Sequence, residues 1–254
     1  MMASFFRSAW LILVTHLKRM ALSRRMLFMA AFACLPMGAG FLASVLAPPD
    51  RLERALAIIA WHLLLMLVLP VAALISGSSV VSEELSDRTL TYVFSRPVSR
   101  AGFFVGRLVA SLLCVCPLVG IAAWGTFVWS ARVGAELSAQ VVPVVLLGGV
   151  TYTILFAAIS AVVRRAMVVG VAYTMVMEVL IANLPGKTAR LSIQHHLRSM
   201  LVDEGGVWQG SLARLVPASF ETSLEAIENL AWIAVIALVV GILVVRKKQY
   251  LVAS

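Results

Sequence analysis

Charge is scarce in this 254-residue sequence: 13% of its residues are Asp, Glu, Lys or Arg, roughly half the ~25% usual in a soluble domain. No polar block is long enough to fold as a soluble unit, so the chain reads as one transmembrane domain spanning 1–254. Cysteine is scarce too. Cys34, Cys114 and Cys116 all lie within apolar segments, which argues against a disulfide framework or a zinc site. The Cys114-Val-Cys116 pair reads as helix packing, and no metal is expected. No GxxxxGK[ST] occurs, which excludes ATP hydrolysis by that route. Neither HExxH nor GxSxG appears, removing the commonest motif-readable hydrolases. Gly38-Ala39-Gly40 lacks the spacing of a dinucleotide loop and suits close helix packing.

What the chain has in abundance is apolar length. Hydrophobic residues make up 61% and the mean hydropathy is +0.98. Six runs approach the ~20 residues that a membrane-crossing helix needs: about 26–46, 55–81, 101–129, 141–163, 166–184 and 230–245. The reading is an all-α integral membrane protein. The second run is long and contains Pro70, which predicts a kink through one lost backbone hydrogen bond. Trp124 and Trp129 suit an interfacial belt. Ahead of the first run, residues 4–22 carry Phe6, Trp10, Leu13, Leu17 and Met20 on one stripe, with Arg7, Lys18 and Arg19 off it. That pattern predicts an amphipathic helix lying along the interface. A secretory signal peptide is rejected, because Lys18, Arg19, Arg24 and Arg25 fall where its cleavage region would be.

The net charge is +9, but the basic residues sit at the ends of apolar runs rather than clustering with aromatics, so nucleic acid is not the expected partner. Placing the N-terminus in the cytoplasm puts 14 of the 21 lysines and arginines on the inner side. Of the other seven, four belong to the long outer loop 187–229, where the positive-inside rule is weak. Six spans with both termini inside a cell's inner membrane follow.

Four features are chemical candidates. Glu178 lies well inside the fifth run, where a carboxylate is expensive and therefore a functional candidate by default. His62 in the second run is a weaker one, since neutral imidazole is cheaper to bury. His195-His196 is an adjacent pair, whose side chains leave a helix in different directions, so a shared metal ion is not expected. The fourth feature is the polar interruption between the second and third runs. It holds Glu83, Glu84, Asp87 and Arg88, then Thr89, then Arg96-Pro97 and Arg100, with Leu85, Leu90, Tyr92, Val93 and Phe94 as an apolar side. Ser82 predicts a helix cap with the acids in its first turn. A mixed-charge loop with an apolar side reads as a docking surface.

This stretch, SEELSDRTLTYVFSRPVSRAGFFVGRLVAS, resembles the signature of ABC-2 type transporter permeases of the single-domain, six-span bacterial and archaeal kind. Their pattern is an acidic pair, Gly-Thr, an aliphatic run, Pro-hydroxyl-Arg, then Gly-Lys opening the next helix. Here these correspond to Glu83-Glu84, Arg88-Thr89, Leu90 to Phe94, Pro97 to Arg100 and Gly106-Arg107. Arg88 stands where the family has glycine, and Arg107 where lysine is common.

The resemblance implies a permease subunit without catalysis of its own, paired with a second copy or homologue. Two separate ATPase subunits would bind ATP and Mg. Residues 82–100 would be the coupling segment: Glu83 and Glu84 would meet basic groups of the ATPase, and Arg96 and Arg100 would meet acids or lipid headgroups. The work done would be export of a substrate, or motion passed to a periplasmic partner. The alternative from another class is an integral membrane enzyme built on Glu178; a structural anchor is a third, for which the charged stretch would be unneeded.

Overall fold

The computed structural model describes residues 10, 13–20, 23–86, 100–183, 187–205, 208–209 and 220–247, with no side-chain detail at 83–86, 132, 183 and 187. Every regular element among them is helical. Backbone inside a bilayer must satisfy its own hydrogen bonds, which helices do within one segment.

A short helix over residues 13–20, α1, precedes α2 (Arg24–Leu46). Ser23 ends one and caps the other: its hydroxyl donates to the Met20 carbonyl and accepts from the Met26 amide at 3.2 Å. The second span, α3, begins at Pro49 rather than Ala55. Proline at the first helical position loses no hydrogen bond and Asp50 complements the helix dipole, so the expected loop at 50–54 is helix. It runs as α-helix over Pro49–Ile59, widens to a π-helix over Ala60–Val68, and resumes as α-helix over Leu69–Ser86.

Helix α4 spans Arg100–Phe127. Helix α5 spans Ala131–Val162, starting ten residues before the predicted run. Helix α6 is α-helical over Ala166–Tyr173, π-helical over Thr174–Leu180 and 3-10 over Ile181–Asn183. Helix α7 (Ile193–Asp203) follows a 3-10 turn at Lys187–Leu191, and α8 is Ser223–Lys247.

Five of these helices are long and apolar enough to cross a membrane, and the apolar part of α6, Ala166–Leu180, is shorter. Helix α5 is central, with 61% of its apolar window buried, whereas α2 and α8 are peripheral at 22% and 17%. The outward faces carry large apolar side chains such as Leu27, Phe41, Trp232 and Ile236, as lipid contact requires. Trp124 and Trp129 are both more than half exposed.

Lipid tails are as apolar as leucine, so these helices are held by close packing and polar contacts rather than by a hydrophobic drive. Gly40 illustrates the first: a Cβ there would lie 2.0 Å from the Thr126 carbonyl oxygen, so only glycine lets α2 meet α4. Gly38, its partner in the sequence motif, faces open space.

Candidate functional site

Part of the predicted outer loop, helix α7, is folded inside the bundle. Helix α7 packs against α5 and α8, and its residues Ile193 to Ser199 are all buried. A Cβ on Gly148 of α5 would come within 2.7 Å of Leu197, so α7, a plug within the bundle, packs directly on the central helix.

The N-terminus of α7 is held by Glu178. Ser192 caps the helix, and its hydroxyl donates to Glu178 Oε2 at 2.6 Å. The backbone amides of Ile193 and Gln194 donate to Oε1 and Oε2 at 3.3 and 2.9 Å. The first amides of a helix have no partner within it, and the dipole places partial positive charge there. A buried carboxylate thus completes a helix end, and the helix end in turn solvates the carboxylate. Arg198 on the same helix lies in electrostatic reach of Glu178 and Tyr152. Its guanidinium stacks 5.0 Å above the Trp61 ring, a cation–π geometry.

Pro70 explains the second anchor. In the π-helical stretch the Leu69 amide bonds to the Leu64 carbonyl, five residues back. The same register assigns the Leu65 carbonyl to residue 70, a proline with no N–H. The Gln194 side-chain amide donates to that Leu65 carbonyl. The helix therefore widens next to Pro70, and the freed carbonyl becomes a docking point for α7. Gln194 joins both anchors, with its backbone on Glu178 and its side chain on α3.

A second carboxylate clasps the first turn of α7 and the segment before it. Glu221 Oε1 lies 2.9 Å from Arg190 Nε, and its Oε2 lies 2.9 Å from His196 Nδ1 and accepts from Asn229 at 3.2 Å. His196 donates through Nε2 to the Arg190 carbonyl at 2.9 Å. Helix α8 starts seven residues before its apolar run because Thr222 and Glu225 form a capping box, each side chain meeting the other's amide. The Asp203 carboxylate also accepts from the Ser223 amide at 2.8 Å.

At the opposite end of the bundle, α3 and α4 are tied together beside the charged stretch. Arg107, 2% exposed, donates from Nη2 to the Ser79 carbonyl at 3.3 Å and lies 5.3 Å from the Phe103 ring centre. Ser111 donates to the Ser76 carbonyl at 3.4 Å. His16 of α1 is buried here. Desolvation first, then the cations Arg107 and Arg19, lower its pKa from 6.5 to about 3. Glu83 and Glu84 fall in the last turns of α3, and Arg100 opens α4. Asp87, Arg88, Thr89, Arg96 and Pro97 lie outside the described residues.

The remaining candidates separate. His62 faces outward, and its Nδ1 donates to the Ile58 carbonyl of its own helix at 3.1 Å, so it joins no site. His195 and His196 are both buried, with ring centres 5.6 Å apart; His196 serves the clasp. Sequence reading missed Ser192, Gln194, Arg198 and Glu221 as partners of the plug. The readable signals were Ser192 as a cap and Thr222-x-x-Glu225 as a capping box.

The comparison with curated proteins finds no match. A family model described as ABC-2 family transporter protein matches residues 26–202, from the start of α2 to the penultimate residue of α7. The chain is a multi-pass membrane protein belonging to the ABC-2 transporter family.

Proposed function

We propose that this permease transmits ATP-driven motion from a separate ATPase, docked on residues 82–100, to the plug formed by α7. The carrying observation is the pairing of α3 and α4 through Arg107. The charged stretch joins two helices already tied at that end, so a push on it moves both. Helix α3 then connects this surface to Leu65 and Trp61, the side of the plug that Gln194 and Arg198 hold. The preponderance of basic residues at the end bearing Glu83, Arg100, Arg164 and Arg246 supports a cytoplasmic location for it in an inner membrane, with both termini inside. A second copy or homologue completes the pathway. The work done is export, or motion delivered to a partner outside. Enzymatic use of Glu178 finds no support, because both its oxygens are engaged by α7.

The test is Glu83→Lys with Glu84→Lys. ATPase association and transport-linked ATP hydrolysis should fall at least about tenfold, the scale of reversing charges at an electrostatic interface. Unchanged association and hydrolysis would refute the docking assignment.

A further inference from the structure

Helices α4 and α5 are joined with almost no loop. The 3-10 turn Val128–Ser130 follows α4 directly, and α5 begins at Ala131. This junction lies at the end of the bundle opposite the charged stretch, since α4 starts beside that stretch at Arg100. It is tight: a Cβ on Gly134 would lie 2.1 Å from the Phe127 carbonyl oxygen and 3.2 Å from the Ser130 Cβ. Trp129 meets Phe41 of α2 edge-on, with ring centres 5.2 Å apart.

Two features of the junction are unrelaxed. Ala131 has φ 46° and ψ −124°, and it alone among the described residues has a positive φ without being glycine. An L-residue there brings its Cβ against the backbone, and such a conformation persists only where its surroundings impose it. Ser130 occupies the N-cap position of α5 without capping it. Its hydroxyl is buried and has no hydrogen-bond partner among the described residues.

The same chain shows the relaxed form twice. Ser23 and Ser192 are extended, with φ/ψ of −81°/150° and −95°/136°, and each hydroxyl accepts from the amide three residues on. Ser130, at −113°/27°, has its ψ turned away from that conformation. Restoring it would bring the hydroxyl to the Val133 amide. Ala131 would then take the dihedrals of an ordinary helical residue, about −63° and −42°. These rotations re-aim the start of α5 against the end of α4, so the two helix ends must part for them to occur.

We propose that Ser130 and Ala131 form a two-state joint between α4 and α5. With the helix ends together, Ala131 is held left-handed and α5 is uncapped. With the ends parted, Ser130 caps α5 and Ala131 is helical. Strain and the missing cap favour parting, and helix packing opposes it. Arg107 ties α4 to α3 and Gly148 of α5 lies against α7, so the joint stands between the push and the plug. That use rests on the function proposed above; the two states of the joint do not, and their test needs no ATPase.

Hydrogen exchange over residues 128–135 of the full chain in detergent, read by mass spectrometry, tests the joint alongside thermal unfolding. Ala131→Gly relaxes the positive φ of the closed state alone. It should slow exchange of this segment about fivefold or more, the equilibrium equivalent of the left-handed penalty. Its melting temperature should rise by about 2–4 °C. Ser130→Ala removes a cap that only the parted state makes, so it too should slow exchange; loss of a cap already in use would speed it. Ala131→Val, β-branched at a positive φ, should speed exchange.

Unchanged or faster exchange in Ala131→Gly overturns the proposal, because the junction then stores no strain. Unchanged or faster exchange in Ser130→Ala overturns it as well, because the hydroxyl then does not serve a second state. These two variants decide even if Ala131→Val fails to fold.

Discussion

Glu178 sits in sequence where a bare carboxylate would cost several kcal/mol, and the structure shows why it is tolerated. Three donors from Ser192, Ile193 and Gln194 replace its hydration shell, and a helix N-terminus supplies the complementary partial charge. Hydrogen bonds to charged groups contribute about 1.5–3 kcal/mol each, and a lost partner in a buried site leaves the other group unpaid for in solvation. Glu178→Gln keeps the shape but turns one acceptor into a donor facing donors. It should lower unfolding free energy by about 2 kcal/mol. Ser192→Ala should cost about 1 kcal/mol as a lost cap. The double variant should show non-additivity of at least about 0.5 kcal/mol, because the groups are in contact. Thermal or denaturant unfolding in detergent measures this; strict additivity, or a silent Glu178→Gln, would show that the carboxylate does not hold the plug.

At the scale of elements, helix α1 carries a pH dependence of defined sign. His16 is 7% exposed, and its pKa is lowered from 6.5 to about 3. The undocked helix therefore takes up a proton that the docked one refuses. The stabilising contribution of neutral His16 is complete above pH 6.5 and declines as pH falls toward 3, by up to about 1.4 kcal/mol per pH unit. Arg107 and Arg19 face the ring and reinforce the effect. Between pH 7.5 and 5, the wild-type chain should lose more stability than His16→Gln, and its N-terminal segment should become more open to proteolysis. Equal pH sensitivity of the two would contradict this placement.

The same elements show what sequence reading captures. Five spans were legible because apolar length near 20 residues is an unambiguous signal. Glu178 stood out because it breaks such a run. Helix α7 falls within the predicted outer loop, and the burial of Gln194, His196 and Arg198 is not legible in sequence because it depends on partners on α3, α6 and the segment before α8. The widening near Pro70 was expected as a kink, since the sequence shows the missing N–H but not how the helix relaxes around it. The start of α8 was placed late because hydropathy is blind to a capping box.

At the scale of the whole molecule, polar contacts gather at two levels of one helix, near its C-terminal end and near its middle. Arg107 and Ser111 bind the α3 backbone next to the charged stretch, while Gln194 and Arg198 engage α3 near Leu65 and Trp61. A helix with a different partner at each of two levels is suited to passing displacement between them. This makes the proposed ATPase partner the central question. Purification of the detergent-solubilised chain from its native membrane, with mass spectrometry of what accompanies it, answers it most directly. The expected result is recovery of a protein with Walker motifs, lost when Glu83, Glu84, Asp87 and Arg88 are neutralised. A folded chain that brings no such protein with it would contradict the account.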